Sequence, residues 1–265
     1  GLGFLSAHLR LALALAALLC VVGTLARAAF ALWFAPAGAG IGAPGWGGAF
    51  LLGLRFDARC ALVSVALAWL LSALPWIGPR LRPAATRAQF WRAYWMLAGL
   101  VWALGLIVDA GHYAYLAQRL SSVLFTLARD AGEATGMVWQ SYPVLAIALG
   151  LGLALLLWYW AFAHAWRWAV RHDPRPATWR ARLGEAMVWL LAAGVVHGKV
   201  SQYPLRWSDA AELPSAFAQA LALNPLHSLY DTWSFRDTGV DELRVRPAAN
   251  RIRDFVGLPP LPASA

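Results

Sequence analysis

From Leu9 to about Val200, long apolar runs alternate with short polar connections, and after that point the long runs stop. A helix that crosses a bilayer needs about 20 predominantly apolar residues, and the segments near 9–34, 60–77, 91–108, 143–165 and 183–200 meet that length. The pattern predicts an all-α polytopic membrane protein with five transmembrane helices, joined by amphipathic interfacial helices. The first run carries Arg10 ahead of its core and Arg27 inside it, and is too long and too charged for a cleaved signal peptide.

The connections differ in kind. APAGAGIGAPGWGG, from Ala35, is too rich in Gly and Pro for a helix. The entrance to the second run is dense in charge, with Arg55, Asp57 and Arg59. Residues 109–136 are too polar to cross a bilayer, yet Tyr113, Leu116, Leu120, Val123 and Leu127 recur at helical spacing and predict an amphipathic interfacial helix. The chain divides at about residue 203, into a helical bundle (1–203) and an extracytoplasmic juxtamembrane region (204–265). Three helices are predicted in the second part. The first is Pro214–Leu223, stopped by Asn224-Pro225; the second carries Leu226, Leu229, Tyr230 and Trp233 on one face, suited to the headgroup layer; the third is Arg246–Val256, closed by Gly257. LPPLPASA at the end is linker-like.

Charge then sets the direction of the chain. With 60% hydrophobic and 13% charged residues, the net charge of +9 is carried by arginines placed between apolar runs. There they act as topology signals and phosphate contacts, and no nucleic-acid motif accompanies them. Ten basic residues fall in the 79–92 and 165–182 loops and the N-terminal segment, against four around 35–59 and 109–137. The positive-inside rule therefore predicts a cytoplasmic N-terminus and an outward tail, whose six arginines do not reverse it. Trp158, Trp160, Trp166 and Trp168 read mainly as interfacial anchors.

Candidate chemistry is sparse. His8, His112, His164, His172, His197 and His227 are scattered, with no metal-ligand spacing, and Cys20 and Cys60 read as small hydrophobes. No catalytic residue and no metal ligand is assigned. Arg55, Asp57 and Arg59 have two readings, an ion-pair network or a seat for an anionic phospholipid headgroup. Lys199 and Gln202 lie near the outer end of the fifth run, where the lysine either snorkels or meets a headgroup. Asp109 is expected to pair with an arginine, and His197 to be a hydrogen-bonded core residue. Tyr203, Arg206, Trp207, Asp209, Asn224 and Asp231 are candidates for coupling the bundle to whatever lies outside it; an ordinary capping turn is the plainer reading.

Several stretches carry a resemblance: GLRFDAR at 53–59, DAGHYAYLAQRLSSVLFTLARD at 109–130, SQYPLRWSDA at 201–210 and LALNPLHSLYDTWSFR at 221–236. Together they resemble the membrane region of the lipoteichoic acid synthase family, the sulfatase-like phosphoglycerol transferases. The resemblance implies five transmembrane helices in the bacterial cytoplasmic membrane, followed by a large extracytoplasmic domain of the alkaline-phosphatase superfamily. In that domain a threonine beside manganese or magnesium attacks the phosphodiester of phosphatidylglycerol. Those residues have no counterpart here, so the implied partners are membrane lipid and a catalytic domain beyond residue 265. The initial Gly fits a longer gene product. Ala263-Ser264-Ala265 resembles a signal-peptidase site, but lies roughly 60 residues past the last apolar run, farther than such sites usually lie. The alternative is a non-enzymatic multispan scaffold or transporter component. Transport is disfavoured on the expectation that no span carries paired charges.

Overall fold

A computed structural model describes residues 6–36, 44–77, 84–125, 142–171, 178–235, 242–257 and 259. All regular structure among the described residues is helical. Five long helices come first: α1 (Ala7–Phe34), α2 (Trp46–Ala73), α3 (Ala84–Leu116), α4 (Val144–Arg171) and α5 (Trp179–His197). Shorter elements follow: a 3-10 turn at Trp207–Glu212, α6 (Ala216–Ala222), α7 (Pro225–Thr232), a second 3-10 turn at Trp233–Phe235, and α8 (Glu242–Phe255).

Local chemistry fixes the ends. Ser6 and Thr178 cap α1 and α5, their hydroxyls accepting from Leu9 N and Ala181 N. Gly198 ends α5 at φ 85°, a left-handed conformation in which its missing Cβ also leaves room for Leu205. The helices run past or short of the predicted bounds at several ends, and two of these differences have a local cause. Trp46, Gly47 and Gly48 belong to α2, because the left-handed turn is made at Gly45 (φ 90°), ahead of them. Residues 109–116 continue α3, which stops only at Ala117 (φ 53°). The helix predicted there is therefore not a separate element up to that point, and Leu127 lies outside the described residues.

Leu9–Phe34, Thr86–Leu116 and Val144–Arg171 are long and apolar enough to cross a membrane. α2 matches them in length but carries Arg55, Asp57 and Arg59, and α5 spends Arg180, Arg182 and Glu185 within its 19 residues. α1 packs against α2 and α4, α3 against α4, and α2 against α5.

The main core lies between α1, α2, α3 and α4, around Leu15, Leu19, Val65, Trp91, Trp95, Trp102, Trp158 and Phe162. Tryptophan is used here in a way the anchor reading missed. Trp158 is buried, its indole N–H donates to Trp95 O at 2.7 Å, and its ring occupies the space left by Gly99. A large ring opposite a glycine fills a core without a void. Trp160 and Trp168 remain exposed, as anchors would.

A second core forms where the tail meets the bundle. Phe30, Ala31, Trp46 and Ala49 of α1 and α2 receive Phe217, Ala218, Leu221 and Ala222 of α6. α7 keeps its predicted pattern in part, with the Tyr and Trp suited to the headgroup layer, Tyr230 and Trp233, exposed. It buries Pro225, His227 and Ser228, and Leu226 fills the space beside Gly105 of α3.

Candidate functional site

Two buried ion pairs of the bundle converge on the end of α6. Arg27 of α1 pairs with Asp57 of α2 at 2.7 Å, both buried. Its other terminal nitrogen donates to the carbonyls of Leu221 (2.5 Å) and Ala222 (2.9 Å). Arg119, just past α3, pairs with Asp109 at 3.1 Å, donates to Leu223 O at 2.8 Å, and lies over the Phe30 ring. Two bundle arginines thus take three successive carbonyls, 221–223, at the end of a helix whose last carbonyls have no partner within the helix. A cation there also complements the helix dipole.

The next residue completes the joint. Asn224 is 2% exposed and caps α7, its Oδ1 accepting from Leu226 N and His227 N. Its Nδ2 donates to Asp57 Oδ1 at 2.8 Å. One side chain starts a helix of the tail and satisfies the second oxygen of a carboxylate within the bundle. Asp57 is thereby fully used, one oxygen toward Arg27 and the other toward Asn224. Burying such groups costs several kcal/mol unless each finds partners, so the geometry holds only while all of them are in place.

Two glycines allow the pair to form. A Cβ at Gly23 of α1 would meet the Asp57 carboxylate at 2.6 Å, and one at Gly53 of α2 would overlap the Arg27 guanidinium. Each helix gives up a side chain where the other brings its charge.

The residues singled out in the sequence divide between this joint and its rim. Arg55 is exposed, and Asp57 pairs with Arg27 rather than with its own neighbours. The reason is helical geometry: positions two apart point about 200° from one another, so an Arg-Asp-Arg cluster at 55, 57 and 59 cannot gather on one face. Arg59 donates to Leu205 O. Lys199 pairs with Asp209 at 2.6 Å, and Gln202 is exposed. Arg206 stacks over the exposed Tyr203 ring at 5.1 Å, and its backbone N–H donates to Asp209 Oδ2 at 2.7 Å. Trp207 N–H donates to Asp231 Oδ2 at 2.8 Å, tying the 3-10 turn to α7. His197 is half-buried with its ring against Ser201 O, and the arginine expected at Asp109 is Arg119.

Two groups of the tail titrate away from their ordinary ranges. Burial pushes the Asp209 carboxyl up, but the hydrogen bonds from Lys199 and Arg206 N–H, with their charges, outweigh it and leave it below the usual range. Burial lowers His227 to about 4 against the opposing pull of Asp231, whose Oδ2 lies 3.4 Å from Nδ1; the Phe56 ring packs at 4.6 Å.

Arg27, Arg119, His227 and the glycine pair were not selected from the sequence. In the sequence Arg27 is a charge inside an apolar run that argues against a signal peptide, and nothing in its spacing points to Asp57. Its pair with Asp57 also corrects the expectation that no run carries paired charges. Among the described residues no three His, Cys, Asp or Glu side chains gather as a metal site. Comparison of the chain with family models, with curated proteins and with solved structures finds no match.

Proposed function

We propose that this chain is the membrane-embedded region of a phosphoglycerol-transferase-like enzyme, one that anchors an extracytoplasmic catalytic domain and fixes its position over the outer leaflet. The observation that carries this reading is Asn224, which joins α7 to the Asp57–Arg27 pair inside the bundle. A tail serving only as a tether needs no such joint, since a flexible linker holds a domain near a membrane at no cost in buried polar groups. A tail that must transmit position needs a rigid seat, and 221–224 supply carbonyls and an amide to three charged groups. The QYPLRWS and NPLHSLYDT stretches that resemble the lipoteichoic acid synthase family are the stretches that make the seat and its rim.

In this reading all five long helices cross the bacterial cytoplasmic membrane, with the N-terminus inside and residues 204–265 outside. Paired with Arg27, Asp57 no longer opposes the insertion of α2 as an isolated charge would. The catalytic threonine and its manganese or magnesium belong to the following domain, which would take phosphatidylglycerol from the outer leaflet.

The test is the gene beyond residue 265, followed by release of diacylglycerol from labelled phosphatidylglycerol by the full-length product in liposomes. A downstream sulfatase-type domain with metal-dependent release supports the proposal. A gene ending here, with no release, overturns it in favour of a non-enzymatic scaffold.

A further inference from the structure

The bundle holds two adjoining cavities. A cleft of about 850 Å³ lies between α1, α3 and α4, with an almost wholly apolar lining. A pocket of about 340 Å³ lies beside it, lined by Arg27, Asp57, Asp109, Arg119 and Asn224. Both are bordered by Trp33, Phe34, Leu106, Ile107 and Ala110, so the two lie side by side. Both volumes fall within the roughly 300–1,000 Å³ of sites that enclose a small ligand.

The cleft follows the helix axes. Along α3 its lining runs from Gly99 to Ala114, a rise of about 22 Å, ending at the same end of the bundle as Phe34 and the tail. That is about one leaflet's hydrocarbon plus its interface. An apolar cleft of this direction and depth, set among helices able to cross a membrane, matches an acyl chain of the leaflet on the tail's side.

The polar end decides which lipid. The pocket's four charged residues are two arginines and two aspartates already paired with one another. A phosphate entering it would face no net countercharge, and desolvating a charge there is expensive. Hydroxyl groups both donate and accept, and can meet guanidinium and carboxylate edges together.

We infer that the cleft and pocket together hold one glycerolipid of that leaflet, with an acyl chain between α1, α3 and α4 and an uncharged, hydroxyl-bearing end at the Arg27–Asp57 and Arg119–Asp109 pairs. The inference needs only that these helices lie in a membrane. It does not rest on the transferase reading, and its failure would leave that reading standing.

Two glycines make it testable without unfolding the protein. Gly111 and Gly150 line the cleft, and a Cβ at either meets nothing within 4 Å. Leucine at both positions fills the cleft from opposite walls, while Gly152→Leu, on α4 but away from the lining, is the control. The purified chain is placed in phosphatidylcholine nanodiscs with diacylglycerol carrying a diazirine in its acyl chain. Adducts are mapped by mass spectrometry, and thermal unfolding checks the fold of each variant. Adducts are expected on the cleft walls of α3 and α4, displaced by unlabelled diacylglycerol but not by phosphatidylglycerol. The double variant should lower them about tenfold, and Gly152→Leu should leave them unchanged. Adducts spread over outward positions such as Leu145 and Leu153 and indifferent to filling would overturn the site. Equal competition by phosphatidylglycerol would overturn the assignment of an uncharged end.

Discussion

Gly53 of α2 lies directly against the guanidinium of Arg27 on α1, where any Cβ would overlap Cζ, Nε and Nη1. The contact is with the head of a side chain held at both ends by Asp57 and by the carbonyls of Leu221 and Ala222. Arg27 cannot step aside without giving up those partners. Gly53→Ala is therefore expected to destabilise the bundle by about 1–3 kcal/mol despite alanine's better helix propensity. Gly47→Ala, in open space on the same helix, should be close to neutral. Unfolding of both variants in mixed micelles measures the difference.

Removing one partner of the buried pair should cost more. Asp57→Ala leaves Arg27 charged and uncompensated, and Arg27→Ala leaves Asp57 so. Each is expected to lose about 3–5 kcal/mol. Replacing both with apolar residues of similar volume should recover much of that loss, since no buried charge is then left without its partner. The recovery, read in the same unfolding assay, separates a cost of isolation from a cost of lost shape.

Acid should loosen the tail. His227 is held near pKa 4 in the folded chain against an ordinary value of 6.5. Between these values the unfolded chain binds a proton that the folded chain does not, so stability falls as pH drops from about 6.5 to about 4 and levels off below that. The full effect is about 3 kcal/mol. Asp209, whose carboxyl is lowered by Lys199 and Arg206, adds a loss in the same direction as pH falls through the carboxylate range. His227→Phe should flatten the first part of the profile and leave the second. A profile unchanged by that substitution would contradict the assignment.

Orientation can be read chemically. With Cys20 and Cys60 replaced, a cysteine at the exposed Gln202 should react with a membrane-impermeant maleimide in intact cells. One at Thr86, exposed near the start of α3, should react only after permeabilisation. The reverse pattern would invert the topology.

The helical class and the long helices were legible because hydrophobic run length is set by bilayer thickness, and Asp109's need for a cation was legible because a carboxylate at the end of an apolar run has few other options. The joint was not. Arg27 and Asp57 are 30 residues apart and Asn224 is 167 from Asp57, and no spacing rule connects positions on separate helices. Arg55, Asp57 and Arg59 looked like one cluster because they are close in sequence, while the helix turns alternate members away from one another. α7 was legible only in part: Tyr230 and Trp233 are exposed, as a face suited to the headgroup layer would be, but the burial of His227 and Ser228 depends on the Asn224 cap and on the helices around it, which no apolar spacing shows. The tryptophans divide by what lies opposite, and Gly99 beside Trp158 is visible only once the helices are packed.

The central claim is that the tail is seated in the bundle through Asn224 and Asp57. The most direct measurement is a double-mutant cycle of Asp57→Ala and Asn224→Ala, read by unfolding in mixed micelles. A coupling energy of about 1–3 kcal/mol is predicted, the range for residues sharing a buried hydrogen-bond network. Losses that add to within about 0.5 kcal/mol would mean the two residues act independently, and would contradict the seat.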